Sequence, residues 1–211
     1  MSLDDWSNCL YSVSMVTEYS DVRQHILDTA KPLILGKGFT AVGLNELLAA
    51  AAVPKGSFYH YFKSKEAFGE ALLDSYFADY QARLAVLLTD GEGLAGARLM
   101  NYWGLWLTTQ ANDGTDGKCL AVKLGGEVSD LSEPMRLALE RGTRRIVEVI
   151  AECIDQARHD GSLPDVGDSA GMALTLYNLW LGATVLSKIR RDRSALESAM
   201  QATHRLLELP A

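Results

Sequence analysis

The sequence predicts an all-α protein, with a small three-helix head followed by a larger helical body. Three observations predict it. Apolar residues recur three and four positions apart over most of the chain, as one buried face of a helix demands. These runs are bounded by helix starts and stops, such as Ser132-Glu133-Pro134 at one end and Asp160-Gly161 at the other. No run alternates apolar and polar residues like a strand, and no segment repeats at a fixed period.

In chain order, residues 1–19 show no clean periodicity. They are read as a tail, either unstructured or the product of a start upstream of Met15. Ser20 is placed to cap a first helix over 21–35. Its inner stripe is Val22, Ile26, Leu27, Ala30, Leu33 and Ile34, and Gly36 and Gly38 end it. A second helix follows a Gly43 cap, with Leu44, Leu47, Leu48 and Ala51 on one face. Only 50–54 remains for a turn before a third helix. There Val53, Phe58 and Phe62 form an inner face, and Pro54 suits the first turn. Lys55, Ser57, Tyr59, His60 and Tyr61 lie outside, and Gly56 lets a partner approach the backbone. Two short helices joined by a tight turn make a helix-turn-helix. Donors on the outer face suit phosphates and base edges in a major groove.

The body begins with Ser64, which can cap a long helix reaching Thr89, where Asp90-Gly91-Glu92-Gly93 breaks it. That helix has one end in the head and the other in the body. Helices are expected next over 94–110 and 118–128, separated by the loop 112–117. A long helix follows from Ser132 to His159, with Arg141, Arg144 and Arg145 on a solvated face. Asp168 caps an apolar helix to Lys188. Its most apolar run, 172–187, is read as too short for a membrane span and contains Asn178, so it belongs to a core or an interface. Ser194 and Glu197 have capping-box spacing for the last helix. Three parts are therefore expected: a tail 1–19, a head 20–66 and a regulatory and dimerisation body 67–211.

The net charge is −7, against a protein that coats nucleic acid unspecifically. The charge is uneven: 21–66 carries +2, 1–20 carries −3 and the remainder −6. A mildly basic head on an acidic body fits a reader of one DNA site. The three cysteines, Cys9, Cys119 and Cys153, lack metal-ligand spacing, so no metal and no cofactor are expected. The acidic start is wrong for a secretory signal, so a cytoplasmic protein with reduced thiols is expected, with no membrane partner.

Residues 38–66, GFTAVGLNELLAAAAVPKGSFYHYFKSKE, resemble the DNA-binding signature of the TetR family of bacterial repressors. The resemblance implies a homodimer on a palindromic double-stranded operator. It also implies DNA contacts from Asn45, Lys55, Gly56, Ser57, Tyr59, His60 and Lys65. One departure is Ala52, where the family usually has Gly. If that position needs a positive φ, Ala costs roughly 1 kcal/mol there.

Cys119 follows a Gly-rich loop near a helix start, with Lys118 adjacent and Lys123 one turn on; both settings favour a thiolate. Cys153 lies among apolar and acidic neighbours and reads as inert core. The segments KCLAVKLGGEVSDLSEPMR and YNLWLGATVLSKI resemble an N-ethylmaleimide-responsive, electrophile-sensing subgroup of the TetR family. That resemblance implies that Cys119 is a sensor and that Lys188 can approach it. A second reading stays open, in which a non-covalent aromatic or hydrophobic effector sits near Trp103, Trp106, Tyr177 and Trp180. The plainer reading of Trp103 and Trp106 is core packing. No Cys-His-Asn/Asp order is present, so an enzyme is not expected.

Overall fold

The computed structural model describes residues 21–110, 119–165 and 167–209, and the expectations for the tail 1–19, the Ser20 cap, Lys118 and the loop 112–117 fall outside them. The described residues form helices and their connections, with no strand among them. The helices are α1 (21–37), α2 (Leu44–Ala50), α3 (Lys55–Tyr61), α4 (Lys65–Leu84), α5 (Ala95–Gln110), α6 (Leu120–Val128), α7 (Glu133–His159), α8 (Ser169–Arg190) and α9 (Ser194–Leu206). The chain divides into two compact units between Leu72 and Leu73, inside α4.

In the first unit, Ile26, Leu27, Ala30 and Ile34 of α1 are buried, as are Val42, Leu47 and Phe58. It runs two residues past its expected end, and Gly38 (φ 95°) supplies the left-handed stop. Phe58, Phe62 and Phe68 form an aromatic cluster with ring centres 5.2–5.5 Å apart, which fixes α3 onto the start of α4. Ser64 Oγ accepts from the Ala67 N–H at 3.0 Å, the expected cap of α4. The turn between α2 and α3 is a Schellman motif. Val53 N–H donates to Leu48 O (3.1 Å) and Ala52 N–H to Ala49 O (3.3 Å). Ala52 sits at φ 52°, in the position where such turns favour glycine.

In the second unit, α7 packs on α5 and α8, and α8 packs on α9. α4 ends in a π-helical turn, Ala85–Thr89, closed by Asp90 N–H on Ala85 O. Arg98 steadies the loop between that turn and α5 by donating to the carbonyls of Leu88, Gly91 and Gly93 and to Gln156 Oε1. The start of α5 is capped from a distant loop: Asp160 Oδ2 accepts from Ala95 N–H and Ser162 Oγ from Gly96 N–H, each at 2.8 Å. Trp103 of α5 stacks on Trp180 of α8, with centres 5.1 Å apart and planes 12° from parallel. Trp180 donates to Thr203 and Trp106 to Thr184.

Three local expectations change. Ser132 stands at the N-cap of α7, yet its hydroxyl makes no capping bond, because it is turned inward and buried. The Ser194–Glu197 capping box does not form. The Asp192 carboxylate takes both the Ser194 N–H and O–H, and Glu197 pairs with Arg193 instead. The apolar helix α8 has 22 residues and is long and apolar enough to cross a membrane by length and composition. Its physical setting is different: one face buries Trp180, Thr184 and Ser187 in the core, and the other exposes Leu174, Val185, Leu186 and Ile189. Arg141, Arg144 and Arg145 lie on the solvated face of α7 in exposed ion pairs.

Candidate functional site

Two sites emerge, one in each unit. The first is the outer face of the helix-turn-helix. Phe58 and Phe62 anchor α3 from below, which leaves Lys55, Tyr59 and His60 exposed and Ser57 half-buried. Lys55 and Tyr59 are one turn apart, and the ammonium lies 5.9 Å from the Tyr59 ring centre. Asn45 is exposed on α2. A Cβ at Gly56 would meet nothing within 4 Å, so packing inside the chain does not require glycine there. Lys65 has a different setting from the other six. It is half-buried, its ammonium donates to Phe39 O at 2.9 Å, and it lies 4.8 Å over the Phe39 ring. It ties the start of α4 to the loop after α1.

The second site surrounds Cys119. This residue is the N-cap of α6, with extended backbone (φ −78°, ψ 117°) and no capping bond from its side chain. The charge of a Cys119 thiolate would act on four tyrosines, Tyr76 and Tyr80 of α4, Tyr102 of α5 and Tyr177 of α8. Tyr76 hydrogen-bonds the Cys119 side chain and accepts from the Leu120 N–H. Tyr80 and Tyr102 share a hydrogen bond of 3.0 Å. Burial is the largest cause that raises every one of these phenols above the ordinary tyrosine range, and a negative Cys119 sulfur adds to it. Arg83, over the Tyr80 ring at 5.6 Å, pulls Tyr80 back slightly. These phenols therefore stay protonated, and one of them, Tyr76, bonds the Cys119 side chain.

Tyr177 has two further properties. Its hydroxyl is buried and has no hydrogen-bond partner among the described residues. Its side chain also borders a cleft of about 670 Å³ between α7 and α8, lined by Thr143, Val147 and Ala151 on one wall and Leu174 and Leu181 on the other. Trp103, Trp106 and Trp180 are at most 5% exposed and lie against one another. Lys123 is half-buried on α6, and Lys188 is exposed in the last turn of α8. Cys153 lies elsewhere, its thiol donating to Ala95 O at 3.5 Å, and burial pushes it up to about 11. Sequence alone does not single out Tyr76, Tyr80 and Tyr102 as site residues. Each sits on an ordinary apolar helical face, and only the fold brings them to Cys119.

Similarity to known proteins identifies the family. Residues 26–72 match the model for bacterial regulatory proteins of the tetR family, and residues 95–203 match the tetracyclin repressor-like C-terminal domain. The HTH-type transcriptional repressor NemR of Escherichia coli K12 is 44% identical over 191 residues, covering 90% of this chain and 96% of that protein. The HTH-type transcriptional repressor DhaR of Mycobacterium sp. GP1 is 34% identical over 181 residues, covering 83% and 87%. The solved structure of the reduced form of E. coli NemR matches with a TM-score of 0.84, over 90% of this chain and 99% of that one. The chain belongs to the TetR family of bacterial regulators and carries the family's DNA-binding helix-turn-helix in its first unit.

Proposed function

We propose that this protein is a cytoplasmic, homodimeric repressor that holds a palindromic operator while Cys119 is reduced and releases it when an electrophile or oxidant modifies that thiol. The observation that carries the reading is the bond between the Cys119 side chain and Tyr76, with Tyr80 one turn further along the same helix. Both belong to α4, the helix whose first turn, at Lys65 and Phe68, is part of the DNA-binding unit. An adduct on a cysteine that is only 6% exposed must displace something, and Tyr76, which bonds its side chain, belongs to this helix. A few kcal/mol of preference for a second α4 position is enough to empty the binding-competent state.

Two supports come from elsewhere. The exposed apolar residues Leu174, Val185, Leu186 and Ile189 give α8 an outer face suited to a second copy. A dimer would place two α3 helices on successive major grooves, about 34–36 Å apart. On the DNA side we assign contacts to Asn45, Lys55, Gly56, Ser57, Tyr59 and His60, with Lys65 acting through the Phe39 loop that it steadies. The 44% identity to a repressor named NemR, whose matching structure is described as a reduced form, supports a thiol-dependent state here too.

Fluorescence anisotropy on DNA from upstream of the gene tests the proposal. Wild type should release this DNA after N-ethylmaleimide, and Cys119→Ser should retain it. Release by both proteins would move the sensor to another thiol. Retention by both would favour a non-covalent effector bordering Tyr177.

A further inference from the structure

We infer that His25 is a positioning residue for operator binding: from α1 it holds the end of α2, and so fixes the orientation in which α3 meets the groove. The inference rests on the reading of α3 as the helix that contacts DNA.

Helix α2 ends at Ala50, and Ala51 is its C-cap. The last carbonyls of a helix have no partner inside it and take donors from elsewhere. Here Leu48 O accepts from Val53 N–H and Ala49 O from Ala52 N–H, both within the turn. Ala51 O has no backbone donor among the described residues. Its donor is His25 Nε2, at 3.1 Å, from a residue 26 positions earlier in the chain. Ala51 is only 3% exposed, so its carbonyl is poorly placed to find water in place of that donor. His25 itself is exposed, so core packing does not account for it.

The bond acts where the course of α3 is decided. Only residues 51–54 separate α2 from α3. Ala52 holds this turn at φ 52°, a conformation that costs an alanine energy. Such a strained turn persists only where its surroundings over-determine it. The far end of α3 is tied to α1 as well. Phe62, the C-cap of α3, has the Arg23 guanidinium 5.3 Å from its ring centre. Helix α1 therefore grips the chain just before α3 and just after it, through side chains two positions apart. Without the His25 bond, docking has to re-order the segment, and affinity falls.

The test is fluorescence anisotropy on DNA from upstream of the gene, with full-length wild type, His25→Leu and His25→Gln. Leucine removes the donor at similar bulk, and glutamine keeps an N–H donor at the end of its side chain. A neutral hydrogen bond contributes about two- to tenfold to an equilibrium, and the proposed dimer has two heads. His25→Leu should therefore bind about fivefold or more weakly, and His25→Gln should recover to within about twofold of wild type. The dependence of affinity on salt separates positioning from direct contact. Its logarithmic slope should be equal for wild type and His25→Leu, whereas each lost phosphate contact lowers it by about one. Unchanged affinity in His25→Leu, a glutamine variant as weak as the leucine one, or a shallower salt slope overturns the inference. Tyr59→Ala is the control for the reading beneath it. Full binding by that variant counts against α3 as the contacting helix, and the inference falls with it. Loss there, with normal binding by His25→Leu, removes the positioning role alone.

Discussion

Ala52→Gly should stabilise this protein, although it removes a methyl group and adds chain freedom. Ala52 closes α2 at φ 52°, where an L side chain crowds its own backbone at roughly 1–2 kcal/mol. Its methyl is on an exposed residue, so little packing is lost. Glycine restores conformational freedom to the unfolded chain, a loss of about 0.4–1 kcal/mol. The difference is a net gain of roughly 0.5–1 kcal/mol, or about 2–4 °C per kcal/mol if a chain of this size melts as one. The Schellman bonds from Ala52 and Val53 use backbone only, so they survive the change. Urea unfolding followed by circular dichroism measures the gain as a higher midpoint at constant slope. Ala49→Gly is the control: exposed inside α2, it should destabilise by about 0.8–1 kcal/mol. A lower midpoint for Ala52→Gly would refute the turn geometry.

Other outcomes rest on the same structure. Gly56→Ala should leave stability equal or slightly higher, because its Cβ enters open space and Ala favours a helix by up to about 1 kcal/mol; operator affinity should fall at least tenfold, as titration by anisotropy would show. Gly142→Ala should destabilise by about 1–3 kcal/mol or more, because its Cβ would overlap the Phe77 ring, and thermal melting reads the loss. Stability should also fall above about pH 9. Burial raises Cys153, to about 11 from an ordinary value near 9, and raises Tyr76, Tyr80, Tyr102 and Tyr177 as well. All five are neutral when protonated, so the unfolded chain sheds protons first and stability drains away as pH rises toward the folded values. Urea midpoints at pH 8, 9.5 and 10.5 should decline in order, and a flat series would contradict the burial of these groups.

Much of the head was legible because its signals are local. The Ser64 cap, the Gly43 start, the stop at Gly38 and the strained Ala52 each depend on residues within a turn of themselves. Tertiary effects were not legible. The caps on α5 come from Asp160 and Ser162, more than sixty residues away. The failed box at Ser194 lost to a nearer carboxylate, Asp192. Cys119 was singled out by its helix start and flanking lysines, but the described partner of its side chain is Tyr76, a phenol from α4. Helical periodicity marks such tyrosines as inward-facing without saying what they face.

The central claim is that one sulfur governs DNA release. The direct measurement is a titration with N-ethylmaleimide in which each sample is split. One half gives the fraction of operator released, and the other gives the occupancy of Cys9, Cys119 and Cys153 by peptide mapping. Release should track Cys119 occupancy point by point, with Cys153 still unmodified when release is complete. Release that tracks Cys153 or Cys9, or full modification of Cys119 with the operator still bound, would contradict the account.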